Sequence, residues 1–317
     1  MNRAGRFCPT RYHYGATALA KAPTRRAETL YVIGGLYGNP QALEAILTMA
    51  DKEKAAITLF FNGDFNWFNY DDTGFREINE AVLQHDAILG NVEAEFGNAS
   101  NDAGCGCAYP DSVGDKTVER SNRIHARLRQ TAQRHPELCR SLEQLPMYAR
   151  YLVGDIQIGV VHGDAESLAG WRFDVAELDK PGAEEWLTAD FAEAGVDVFA
   201  SSHTCLPVMR QLQNGKLIVN NGAAGMPNFS GCHYGVLTRI SRRPSPLTPL
   251  YGSRIGDIFV DALPIHYDDK TWRKIFLNNW SEGSPAWESY FRRICDGPDY
   301  SPTRAACRQI DGEVALS

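Results

Sequence analysis

No apolar run in the 317-residue sequence approaches the roughly 20 residues that a membrane-spanning helix requires. The N-terminus also lacks the uninterrupted apolar stretch of a secretory signal, so a soluble chain working in the cytoplasm is expected. Basic residues are not in excess: 32 Lys and Arg stand against 39 Asp and Glu, a formal net charge of −7. Coating nucleic acid depends on Lys and Arg neutralising phosphates, so that class is excluded while a local basic pocket is not. Cysteine is sparse, eight residues scattered along the chain, which excludes a disulfide scaffold and leaves thiols or metal ligands. Only Cys105, Cys107 and Cys205 sit in suggestive contexts. No internal repeat is present. What remains, 44% hydrophobic and 22% charged residues, is the composition of an ordinary globular protein.

The order of elements is informative. Leu30 to Ile33 is a short apolar run ending in Gly34-Gly35, and Pro40 to Met49 has helical spacing with proline in its first turn. The same grammar returns in Ala56 to Phe61, running into Asn62-Gly63-Asp64, with a helical stretch over Phe75 to Gln84. Ala87 to Leu89 is a further short strand before Gly90-Asn91. Alternating strands and helices imply a sheet covered by helices, with polar residues gathered at the strand ends. The segment 97–146 breaks this rhythm with a glycine-rich loop holding Cys105-Gly106-Cys107, then a helical stretch over Val118 to Gln133 that carries Arg120, Arg123, Arg127 and Arg129. It reads as a lid-like insertion over one end of the sheet. Further strands are expected over Met147 to Val153, Ile156 to Val161, Val196 to Ala200, Lys216 to Val219 and Tyr234 to Ile240, with one helix inside Asp179 to Ala194. Prolines 244, 246 and 249 mark a linker. The expected organisation is an arm over 1–28, a main domain over 29–240, and an aromatic extension over 241–317 packed on that domain, carrying Trp272, Trp280, Trp287, Tyr290 and Phe291.

Four strand ends carry a residue able to bind metal: Gly63-Asp64, Gly90-Asn91, His162-Gly163 and Ser202-His203. Taken singly, Gly-Asp or Gly-Asn reads equally as a turn, and His162 as a buried histidine. Taken together, a carboxylate, an amide oxygen and two imidazoles on one rim form a mixed nitrogen and oxygen site suited to Mn, Fe, Zn, Co or Ni, and less to Ca.

In this order the blocks resemble the calcineurin-like metallophosphoesterases. The segments are Gly35-Leu36-Tyr37-Gly38-Asn39-Pro40, Gly63-Asp64, Gly90-Asn91-Val92-Glu93, His162-Gly163-Asp164, Ser202-His203-Thr204-Cys205 and Asn220-Asn221-Gly222, spanning about 29–240. The resemblance implies an α/β fold, a four-layer sandwich of two mixed sheets flanked by helices. It implies that Asp64 bridges two metals while Asn91, His162 and His203 complete the second site, and that these four carry catalysis. The first site departs from the pattern: its Asp, His and last His would fall at Gly35, Tyr37 and Cys205, and the histidine that follows the Asn is replaced by Val92.

One divalent ion (Mn, Fe, Zn or Ni) is therefore expected, with the second site in doubt. The expected activity is hydrolysis of a phosphomonoester or phosphodiester, the substrate being a phosphorylated small molecule or nucleotide; the alternative is a catalytically degenerate metal- or phosphate-binding scaffold. Arg120, Arg123 and Arg127 are candidates to bind the phosphoryl group, although such a run is also what a solvated helix face looks like. His125 or Asp164 is a candidate proton donor. Cys205, alone or with Cys105 and Cys107, is a candidate soft ligand at the altered first site.

Overall fold

In the computed structural model, which describes residues 3–98, 100 and 102–310, the apolar runs become strands buried on both faces. The strands are β1 (Thr24–Arg26), β2 (Thr29–Ile33), β3 (Ile57–Asn62), β4 (Asp86–Ile88), β5 (Tyr148–Val153), β6 (Ile156–Val161), β7 (Val198–Ser201), β8 (Val208–Gln211), β9 (Leu217–Asn220), β10 (Gly235–Ser241), β11 (Tyr251–Ile255), β12 (Ile258–Ile265) and β13 (Arg308–Gln309). They form a seven-stranded sheet in the order β1-β5-β6-β7-β9-β8-β13 and a six-stranded sheet in the order β11-β12-β10-β2-β3-β4. Both sheets are mixed: β2, β3 and β4 run parallel, while β10 lies antiparallel to β2 and β12.

Successive strand residues face opposite sides, and β2 shows how this makes layers. Leu30 and Val32 enter the cluster between the sheets with Phe60, Ile158, Val160 and Val219. Tyr31 and Ile33 enter the outer cluster with Phe61 and with Ile46 and Phe75 from the helices Pro40–Ala50 and Asp72–Val82. Across the molecule, Val161, Phe199 and Ile218 meet Leu187 and Phe191 of the helix Ala183–Ala194. Helix, sheet, sheet and helix thus stack as four layers, and each fully buried aliphatic contributes about 1.5–3 kcal/mol. Among the described residues no helix is long and apolar enough to cross a membrane.

Several pieces exceed what the sequence suggests. The prolines after Ser241 join β10 to β11, and β12 then pairs with β10 from Gly235↔Ile265 to Ser241↔Phe259. The chain beyond 240 therefore completes the six-stranded sheet as well as packing on it. β1 and β13 pair with β5 and β8 and close the two edges of the other sheet. In the 97–146 segment the helices Asp115–Ala132 and Pro136–Glu143 bury Ile124, Leu128, Ala132 and Leu142 against the outer cluster.

Candidate metal centre

Asp64, Asn91, His162 and His203 lie just past the ends of β3, β4, β6 and β7, so the sheets present them at one rim. The glycines before two of them are required by close approach. A Cβ on Gly63, at φ +71°, would sit 2.7 Å from His162 Nδ1, and one on Gly90 would strike the Asp64 carboxylate. The ends of β6 and β7 are joined by Ser202 N and His203 N, which donate to His162 O at 3.1 and 2.9 Å.

The four side chains converge. His162 Nε2 is 3.4 Å from Asp64 Oδ1, 3.2 Å from Asn91 Oδ1 and 3.3 Å from His203 Nδ1. Asp64, His162 and His203 are buried, with ligand atoms all within 4.8 Å of one another. The far side of each group fixes its chemistry. His162 Nδ1 faces Asn62 O at 2.8 Å and His203 Nε2 faces Cys107 O at 3.1 Å. A carbonyl can only accept, so those nitrogens carry the hydrogens and the lone pairs point inward. Asn91 Nδ2 donates to Cys105 O at 2.9 Å, which turns the amide oxygen inward as well. Four lone-pair atoms therefore face one another, and among the described groups only Val92 N donates to them, at 3.2 Å to Asp64 Oδ1. Such a donor set fits a divalent cation. Otherwise a proton must balance it. Burial alone pushes His162 down, but Asp64 beside it raises its pKa on balance. Burial likewise opposes Asp64, whose pKa is nonetheless lowered by His162. Burial and the neighbouring His162 push His203 down to about 3, keeping it neutral.

Glu93 holds the rim together. It accepts from Asp64 N at 2.9 Å, Gly90 N at 3.2 Å, Asn66 N at 3.0 Å and Asn66 Nδ2 at 3.2 Å. Burial and the Asp64 charge push its pKa up to about 7 against the pull of the Asn66 donors.

Other candidates stand outside the four-donor cluster, although Cys107 and Cys205 line the cavity beside it. Cys205, at φ 63°, turns its thiol to His203 O at 3.2 Å and to the Tyr37 hydroxyl at 2.8 Å. It therefore lies outside the cluster. Burial raises the pKa of both partners, so neither is a ready anion. A Cβ on Gly35, at φ +66°, would meet the Tyr37 ring at 2.8 Å, so the ring occupies the space a side chain there would need. Cys105 and Cys107 are bonded to each other as a disulfide and do not join Cys205. Arg120, Arg123 and Arg127 of the Asp115–Ala132 helix do not line the cavity beside the four donors. Arg120 donates to Ser289 Oγ at 2.7 Å, Arg127 lies 3.9 Å over the Tyr70 ring, and Arg123 is exposed on the same outer surface. His125 is buried with Nε2 at 3.0 Å from Val92 O, and Asp164 accepts three backbone N–H groups from Glu166, Ser167 and Arg172. Their bonding is accounted for by structure.

The wall of the site comes from residues that no motif marks. Trp67, Tyr109, Trp171 and Tyr290 line, with Tyr37 and Val92, a cavity of about 40 Å³ beside Asp64, Asn91 and His203. In this measure a water needs about 10–15 Å³, so there is room for an ion with a few waters. Larger grooves of about 770 and 840 Å³ lie elsewhere on the surface and contain none of the four residues. Tyr290 belongs to a π-helical turn, Trp287–Phe291, seated by ring contacts to Trp67 and Phe68. Close by, Arg293 donates to Cys205 O at 2.7 Å. The aromatic tail was visible in the sequence; its aim at the rim was not.

No family model matches the chain, and no curated protein matches it. Solved structures do. A metallophosphoesterase from Sphaerobacter thermophilus aligns at a TM-score of 0.55 and 19% identity, over 85% of this chain and 100% of that one. A hypothetical protein from Pyrococcus horikoshii OT3 aligns at 0.57 and 16% identity, over 86% of this chain and 99% of that one. Two mixed sheets flanked by helices, with the same course along nearly the whole of both relatives, identify the fold of this chain as that of the metallophosphoesterases.

Proposed function

We propose that the chain hydrolyses a phosphomonoester or phosphodiester of a small molecule or nucleotide, in the cytoplasm, with one divalent cation (Mn, Fe, Zn or Ni) held by Asp64, Asn91, His162 and His203. The observation that carries this reading is the convergence of four inward lone pairs, each aimed by a bond on its far side. A bound divalent cation supplies water activation and polarisation of a phosphoryl oxygen. The chain supplies the rest. Asp64 brings the single formal negative charge of the donor set, the two neutral imidazoles are held in one tautomer, and Glu93 fixes the loop that carries Asp64. The aromatic wall keeps bulk water out, which strengthens every electrostatic interaction inside. Gly35, Tyr37 and Cys205 provide no second ligand set, so another positive group must meet the charge on the phosphoryl oxygens. Arg293, whose charge reaches both Tyr37 and Cys205, is better situated for this than Arg120, Arg123 or Arg127.

The small cavity and the hydrogen-bonded Tyr37 and Cys205 pair favour a second reading, a binding scaffold that keeps the ion and has lost turnover. Aryl phosphate mono- and diesters assayed with each metal separate the two. Hydrolysis that Asp64→Asn and His162→Ala both abolish supports the enzyme; metal bound at the site with no turnover of any ester supports the scaffold.

A further inference from the structure

The Cys105-Gly106-Cys107 tripeptide is buried against the site, and its two cysteine carbonyls orient two of the four donors. Cys105 O accepts from Asn91 Nδ2 at 2.9 Å, and Cys107 O accepts from His203 Nε2 at 3.1 Å. Cys107 O also accepts from Trp171 Nε1 at 2.9 Å, so the same atom anchors part of the cavity wall. The backbone that presents these carbonyls is not one the residues adopt freely. Gly106 and Ala108 have φ of +67° and +49°, the second uncommon for a residue with a Cβ. The disulfide between Cys105 and Cys107 closes this turn, while Cys105 N is tied to Asn122 Oδ1 at 3.0 Å.

We propose that the Cys105–Cys107 disulfide tunes the affinity of the Asp64, Asn91, His162 and His203 cluster for its cation, making the site responsive to thiol redox state. The proposal rests on the reading that this cluster holds a cation. Reduction by a dithiol breaks the S–S bond. The reagent's two thiols close to its own cyclic disulfide, and the two electrons and two protons they lose leave Cys105 and Cys107 as thiols. The tripeptide then regains backbone freedom and the two carbonyls lose their fixed aim. Partners that orient metal ligands are worth about 10–100-fold in metal affinity, so the reduced protein binds its cation about tenfold more weakly.

The test uses the full chain. One sample is oxidised with a small-molecule disulfide and one is reduced with dithiothreitol, and both are then desalted without oxygen. Thiols counted in denaturant give six of the eight cysteines in the first sample and all eight in the second. Mn²⁺ affinity is read from the paramagnetic resonance of the free ion, independently of any turnover. The oxidised form is expected to bind about tenfold more tightly. The Cys105→Ser/Cys107→Ser variant is expected to stay at the weaker value in both conditions, and Cys139→Ser to keep the full response. Equal affinities, tighter binding by the reduced form through a freed Cys107 thiolate, or eight thiols after oxidation would overturn the proposal. Absence of Mn²⁺ binding in both states, with the thiol count switching normally, overturns the cation reading itself.

Discussion

Glu93 shows what a single carboxylate does at this rim. Its two oxygens meet four N–H donors, from Asp64, Gly90 and Asn66 twice, and it has no competing acceptor to satisfy. An amide in its place would set an NH₂ against two of those donors. Glu93→Gln is therefore expected to lower stability by about 1–3 kcal/mol, measured by urea unfolding, and to loosen the loop holding Asp64. An unchanged unfolding midpoint would show that the four bonds are not a structural unit. At this scale the sequence marked side chains and left the backbone unmarked. Asp64, Asn91, His162 and His203 stand out because each follows an apolar strand and a small residue. The carbonyls of Asn62, Cys105 and Cys107 that aim them have no residue signature, since any residue carries one. The arginine run carries no such signal of aim. Helical spacing places Arg120, Arg123 and Arg127 on faces of one helix but does not say which way that helix is turned, and Arg127 found the ring of Tyr70.

Between elements, Arg239 on β10 ties the six-stranded sheet to the segment after the Pro40–Ala50 helix. It is fully buried, 2.6 Å from Glu53 Oε1 and 3.5 Å from Asp261 Oδ2 on β12. Removing one member of such a group strands a charge in the interior. Arg239→Ala is expected to cost about 3–5 kcal/mol, read as a fall in thermal or denaturant midpoint, with part of it recovered by adding Glu53→Gln. A cost near that of a surface substitution would contradict this. β2, buried along its whole length, was legible as a short apolar run, and β6 and β7 as short apolar clusters. β11 alternates exposed and half-buried residues, and β1 and β13 are short and polar, so neither pattern nor length announced them. Their place is set by partners distant in the chain, β5 for β1 and β8 for β13. The same holds for the π-helical turn, whose aromatics were visible but whose packing against Phe68 lies over 200 positions away.

At the scale of the molecule, two sheets end on one rim, and the insertion and the C-terminal extension meet above it. Tyr109 comes from the first and Tyr290 from the second, closing the same small cavity. We propose a single cation at that rim, since Gly35, Tyr37 and the hydrogen-bonded Cys205 offer no second ligand set. Metal analysis of the full-length protein purified without chelator tests this directly. One divalent ion per chain is predicted, lost in Asp64→Asn and retained in Cys205→Ala. Two ions per chain, or none in protein that is folded, would contradict it.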